Sequence, residues 1–308
     1  MSAMSAITPG RHLFTSARTQ LTFEYIVHAP STPSIERLII VQCPAWGLGS
    51  RYLQHGLSPL ANKHNDNTLL FFNPRGTDNS SRPPSPTQMT SMPDLSTDLD
   101  DLRQHLHLDA LPTLLGHSNG GAIALGYAET HPNRVRRLIL LNHQLVGTSD
   151  RRLITERATL AHDQRYHAAL TSSPSPSPHP HPQTDSSFTR DITALWPLYF
   201  YNPQRHLQTL LSAIGDRIFP LWCYTAVYGC DAALQRPRQM IDGLGSVRAD
   251  TLIIAGRDDL ACGPSIAQQT AAGIPGARLL VYSECGHFPW IEQGERFMGD
   301  VQGFLRGV

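Results

Sequence analysis

Gly116-His117-Ser118-Asn119-Gly120-Gly121 sets a serine among glycines, after the apolar pair Leu114-Leu115 and before a helical pattern from Ala122 to Glu129. A strand that turns at once into a helix crowds the positions two residues either side of the turn, and glycine there removes the collision. Such a turn lifts the Ser118 hydroxyl clear of the sheet edge. It also places it at a helix N-terminus, where backbone N–H groups, that of Asn119 first, can meet a developing oxyanion. A serine hydroxyl is a weak nucleophile at neutral pH and needs a base. His287 is the candidate, because Gly286 directly before it lets the chain swing the ring over the sheet edge. A base of this kind needs a carboxylate on its other ring nitrogen to hold the tautomer and stabilise the imidazolium. Gly256-Arg257-Asp258-Asp259 offers two, just past an apolar run at Leu252-Ile253-Ile254.

The elements that must position these groups are legible as runs and periodicities. Leu13 to Val27 alternates apolar and polar residues and predicts antiparallel strands at a sheet edge. Leu38–Val41, Leu69–Phe72, Arg137–Leu141, Thr251–Gly256 and Arg278–Tyr282 are short apolar runs of the kind buried in parallel sheets. Leu95, Leu99, Leu102 and Leu106 after Pro93 mark one face of a helix. Asp94, Asp98, Asp100 and Asp101 fall among its polar positions and read as a solvated face. Serine, acid and histidine thus each follow a predicted strand, in that chain order.

Composition narrows the function classes. A chain of 308 residues with 40% hydrophobic residues can bury one large core with an insertion. Its formal net charge of zero argues against capture of nucleic acid or of an anionic membrane surface. Five dispersed cysteines, without metal-ligand spacing, read as reduced thiols. No secretory signal and no bilayer-spanning run is evident, so a cytoplasmic enzyme with a small-molecule substrate is expected. The βα rhythm breaks between 146 and 245. That stretch is helical in flavour over 153–170 and 207–218, and rich in aromatic residues. Within it, 172–187 is rich in proline and serine, with proline alternating with serine and then histidine up to Pro182, and predicts an extended loop. His179 and His181 lack companions for a metal site.

Together with Trp46-Gly47-Leu48-Gly49-Ser50 and Asn73-Pro74-Arg75-Gly76-Thr77-Asp78-Asn79-Ser80, these motifs resemble the α/β-hydrolase superfamily. The closest resemblance is to its branch related to prolyl iminopeptidases, over residues 12 to 305 apart from the middle. The resemblance implies an α/β fold with a mostly parallel sheet flanked by helices. It implies a core formed by 1–145 and 246–308, and a helical cap at 146–245 inserted after the sixth strand. It selects Asp259 as the acid, three residues after the glycine that ends its strand, with Ser118 as nucleophile and His287 as base. It puts one oxyanion donor at Asn119. The second lies in the loop after Val41, where the family has His-Gly and this chain has Cys43-Pro44. Matching Gly47-Leu48-Gly49-Ser50 puts that donor at Ala45, with Trp46 next, because Pro44 has no N–H. Trp196, Tyr199 and Trp222 of the cap, with His117, are expected to contact substrate. No cofactor or metal is implied.

The expected activity is a serine hydrolase working through an acyl-enzyme on an ester, lactone or thioester of a small apolar molecule, with a place in secondary metabolism. The alternative is release of N-terminal proline. Against it, the cap holds one glutamate, Glu156, for binding an amine, and Asn119 stands where that branch has tryptophan. A lyase, a cyclase or a ligand-binding protein on the same scaffold is a third reading.

Overall fold

Eight strands, seen in a computed structural model that describes residues 3–30, 32–62, 65–148, 160, 162–172 and 184–307, form one sheet. They are β1 (Gly10–Thr15), β2 (Thr22–His28), β3 (Leu38–Gln42), β4 (Thr68–Phe72), β5 (Leu111–His117), β6 (Val135–Leu141), β7 (Asp250–Gly256) and β8 (Arg278–Tyr282). Their order is β1-β2-β4-β3-β5-β6-β7-β8. β2 runs antiparallel to both β1 and β4, and every other pairing is parallel. This is the α/β-hydrolase arrangement.

Side chains alternate between the two faces of the sheet, and each face has its own core. Ile40, Leu70, Leu114, Leu138 and Ile253 point to one side. There they meet Leu95, Leu99 and Leu102 of α2 (Met92–His105) and Ile123 and Leu125 of α3 (Asn119–Thr130). Ile39, Val41, Leu69, Leu115, Ile139 and Ile254 point to the other. That side is covered by Leu53 and Leu57 of α1 (Arg51–Leu57) and by Phe297 and Val301 near the C-terminus. Two buried faces explain why the central strands are continuous apolar runs, while the outer β1 keeps an alternating exposed face.

The polar face expected on α2 is not simply solvated. Asp98 is buried and holds Arg75 through Nε at 2.7 Å and through Nη2, while Asp101 takes Ser16 and Arg18. A buried carboxylate needs such partners, and the pair ties the loop after β4 to α2. Between β6 and β7 the described residues form helices and no strand. Among them are α4 (Asp185–Leu195), α5 (Pro203–Ile214) and α6 (Leu221–Ala232). α4 begins inside the stretch expected to be loop, because the Thr184 hydroxyl accepts the Ser187 N–H and starts the helix. Most of the expected 153–170 helix, Glu156, and residues 173–183 with both loop histidines lie outside the described residues.

The β3 and β5 strands lie side by side although β4 intervenes in sequence, with Gln42 opposite Gly116. Chain direction away from the centre reverses between them, and the crevice at their C-terminal ends is where ligands bind in open α/β sheets. The loop after β3 and the turn after β5 therefore face each other.

Candidate active site

Ser118 sits between β5 and α3 with φ 55° and ψ −124°, a left-handed backbone that costs a non-glycine residue on the order of 1–3 kcal/mol. The turn is held from several sides. Ser118 N–H donates to Leu141 O at 3.0 Å, and Ser118 O accepts Gly121 N–H at 2.9 Å and Gln144 N–H at 3.0 Å. A Cβ on Gly116 would stand 2.5 Å from Gly120 O, and one on Gly120 would run into Gln42 O. Glycine at both positions is thus a requirement of the close approach of elbow, helix and β3.

Asp259 follows β7 and is fully buried. Its Oδ2 accepts His287 Nδ1–H at 2.8 Å and Asn142 Nδ2 at 2.6 Å, and its Oδ1 accepts the amides of Ala261 at 2.8 Å and Cys262 at 3.1 Å. Burial works to raise its pKa, but the facing His287 and these donors outweigh it and hold the carboxyl below its ordinary value. A carboxylate only accepts, so His287 Nδ1 carries the proton and Nε2 is left to act as a base. Asp258 turns instead to the backbone, its Oδ2 on Cys285 N–H at 3.3 Å. Cys262 also comes near: ligand atoms of Asp259, Cys262 and His287 lie within 4.8 Å of one another. Both oxygens of Asp259 already hold two N–H donors each, so this set is poorly suited to a cation.

The His287 loop is fixed from both directions. Gly286 N–H donates to Glu292 Oε2 at 2.6 Å, and Glu292 Oε1 accepts the amides of Tyr201 at 2.9 Å and Asn202 at 3.1 Å. His287 N–H donates to Tyr199 O at 2.7 Å. A Cβ on Gly286 would collide with Tyr199 O, so the glycine expected to permit a sharp turn also permits this close approach.

The residues expected to touch substrate separate. Tyr199 lies edge-on to the His287 ring, centroids 5.2 Å apart. Trp196 is buried and packs on Phe219, centroids 5.6 Å apart, as a core residue. Trp222 packs against Gly76 and carries the Arg82 guanidinium 4.1 Å from its ring centre. His117 is buried, and both ring nitrogens are taken by the protein. Its Nε2–H donates to His287 O at 2.9 Å, which leaves Nδ1 to accept from Tyr52 OH at 2.7 Å. Burial first, and then the neighbouring His287, push its pKa well below the ordinary value, so it stays neutral.

The oxyanion side also differs from expectation. Ala45 N–H is taken by Asn119 Oδ1 at 2.7 Å and is not available to a ligand. Among the described residues, the next amide, Trp46 N–H, has no acceptor, and neither has Asn119 N–H in the first turn of α3. Asn142, Gln144, Tyr52 and Glu292 were not singled out by sequence. Asn142 has φ 41°, an uncommon conformation for which Asn is one of the better-tolerated residues. Only the register of β6 against β7 reveals that it meets the acid.

The comparisons with known proteins agree with this architecture. The family model described as alpha/beta hydrolase fold matches residues 39–293. A 2-hydroxymuconate semialdehyde hydrolase of Pseudomonas sp. strain CF600 is 29% identical over 223 residues, 64% of this chain and 64% of its own length. The match thus spans less than two thirds of that relative. A pimeloyl-(acyl-carrier protein) methyl ester esterase of Aromatoleum aromaticum is 28% identical over 217 residues, 70% of this chain and 81% of its own. The crystal structure of a proline iminopeptidase from Mycobacterium smegmatis superposes with a TM-score of 0.73 at 20% identity, covering 97% of this chain and 98% of the other. That last likeness is one of fold. No helix among the described residues is long and apolar enough to cross a membrane. With its sheet order, its strained serine after β5, and a family match over most of its length, the chain belongs to the alpha/beta hydrolase fold family.

Proposed function

We propose that the protein is a serine hydrolase that cleaves an ester, lactone or thioester of a small, largely apolar molecule. The observation that carries the reading is the buried His287–Asp259 hydrogen bond of 2.8 Å, with the His287 ring centre 4.5 Å from that of His117, the residue before the strained Ser118. Ser118 Oγ attacks the acyl carbon as His287 Nε2 takes its proton. The developing oxyanion accepts from Asn119 N–H and Trp46 N–H. His287 returns the proton to the leaving alcohol or thiol, leaving an acyl-enzyme on Ser118. Water, deprotonated by His287, then attacks the acyl carbon and releases the acid and the free serine. Asp259 holds the imidazolium throughout, a role whose removal costs about 10⁴-fold in rate in the best-studied triad.

Aromatic neighbours support an apolar substrate. Trp46 stands edge-on to Phe219 and Tyr224, centroids 5.7 and 6.4 Å away, and Tyr199 borders His287. A relative named as a methyl ester esterase points to the same bond type. In this reading the β6–β7 segment is a cap over the site.

A short-chain aryl ester and a proline arylamide, offered to wild type and Ser118→Ala, test the proposal. Ester turnover that vanishes in Ser118→Ala is the expected result. Turnover of the proline amide alone would replace this reading with the aminopeptidase one. Ester turnover that persists in Ser118→Ala would overturn the acyl-enzyme.

A further inference from the structure

Two peptide groups of the loop after β3 are gripped by groups that the hydrolytic mechanism does not use. Ala45 N–H donates to Asn119 Oδ1 at 2.7 Å. The Cys223 thiol of α6 donates to Ala45 O at 2.9 Å. All three residues are fully buried. Asn119 is the first residue of α3, so its side chain is anchored to the helix that carries the nucleophile. Its Nδ2 rests on Met92 Sδ at 2.8 Å, which leaves the oxygen for Ala45. Burial pushes the Cys223 thiol up to about 12, so it keeps the proton it donates. Two residues after Ala45, Pro220 packs on Gly47, where a Cβ would stand 2.5 Å from the proline ring.

The consequence lies in peptide geometry. Ala45 C=O and Trp46 N–H belong to one trans peptide and point in opposite directions. Anchoring the carbonyl on Cys223 therefore turns the Trp46 N–H away from α6, and fixing the preceding peptide on Asn119 limits rotation about the Ala45 backbone. We propose that Asn119 and Cys223 are paired positioning residues that aim the Trp46 N–H at the oxyanion, so that the β6–β7 segment helps to set the rate of chemistry as well as to enclose substrate. The proposal rests on the serine hydrolase reading above. In this loop, which has Cys43-Pro44 where the family has His-Gly, the support would come from the Asn119 amide and the Cys223 thiol of α6.

Conservative and non-conservative variants separate positioning from packing. Asn119→Asp keeps an oxygen for Ala45 N–H, and Asn119→Leu fills similar space without one. Cys223→Ser keeps a donor, and Cys223→Ala does not. Steady-state hydrolysis of a short-chain aryl ester is measured for each, with fluorophosphonate labelling of the wild type at Ser118. The expected result is a kcat lowered roughly 10- to 100-fold in Asn119→Leu and Cys223→Ala with KM within about twofold, as befits a misdirected oxyanion donor. Cys223→Ser should recover most of the loss and Asn119→Asp part of it, since the carboxylate keeps the acceptor but adds a buried charge beside the oxyanion. The double variant should lose much less than the product of the single losses, since both act on one loop. Equal losses in the Leu and Asp variants, or in the Ala and Ser variants, would overturn the proposal, as would a change confined to KM. If Asn119→Leu does not fold, the Cys223 pair decides alone. A wild type that labels at Ser118 while the variants fail this pattern overturns only the positioning role. A wild type that neither labels nor turns over ester overturns the hydrolase reading and this inference with it.

Discussion

Asn142 Nδ2 lies 2.6 Å from the same Asp259 oxygen that accepts the His287 Nδ1–H, and 3.2 Å from Gly286 O in the loop that carries the histidine. One amide thus ties Asp259 to the backbone of the loop that carries His287. Its reach depends on β6 ending beside β7, where Asn142 N–H continues the ladder to Ile254 O at 2.9 Å. Asn142→Leu removes a charge-assisted hydrogen bond, of a class worth about 1.5–3 kcal/mol. The expected outcome is a kcat/KM roughly 10-fold lower, with its acid limb displaced to higher pH because the Asp259 carboxylate loses a donor. An unmoved limb in the pH–rate profile would show that Asn142 only packs.

The bonds on both ring nitrogens favour His117 as a strut over a substrate contact. His117→Phe keeps a ring among Phe288, Trp290 and His287 but loses the bonds to Tyr52 OH and His287 O. The expected change is a fall in kcat of about 10-fold with KM nearly constant, since a small displacement of a catalytic group is felt mainly in the rate. Tyr52→Phe, which removes only the outer bond, should lose less. A change in KM alone, measured with the aryl ester, would return His117 to the binding pocket.

The strain at Ser118 gives a stability prediction. Glycine adopts φ 55° without steric penalty, whereas alanine does not. Ser118→Gly and Ser118→Ala should both abolish turnover, yet Gly should be the more stable by about 1 kcal/mol in denaturant unfolding. Alanine equal to or better than glycine would mean that the turn is relaxed when the protein is free of ligand.

Glu129, at the end of α3, is half-buried, and its Oε1, which is buried, has no hydrogen-bond partner among the described residues. Burial pushes its pKa up to about 8. Because the folded value lies above the unfolded one of about 4.3, the folded state binds more protons between the two. Its contribution to stability therefore falls as pH rises through that window. Glu129→Gln, neutral throughout, should remove this slope and be more stable than wild type at pH 8 by on the order of a few kcal/mol. Parallel stability–pH curves for the two proteins would contradict the assignment.

How far the sequence reached depends on whether a signal was local. Gly116 announces the elbow because the collision it relieves, with Gly120 O, is within the turn itself. The parallel strands are legible because both of their faces are buried. Asp258 and Asp259 could not be separated by spacing alone, since neighbouring residues at a strand end face apart, and their directions depend on the turn that follows. The roles of His117, Asn142 and Ala45 depend on partners 170, 117 and 74 residues away. A glycine-serine pattern carries no trace of such contacts. Asp98 was misread for the same reason: its partner Arg75 comes from the loop after β4, and helical periodicity sees only the helix.

The central claim is that Ser118 is an activated nucleophile. Its most direct test is the intact mass of wild type and Ser118→Ala after exposure to a fluorophosphonate, with both proteins shown to be folded. The account predicts one covalent adduct on wild type and none on Ser118→Ala. An unmodified wild type, or an adduct that survives in Ser118→Ala, would contradict it.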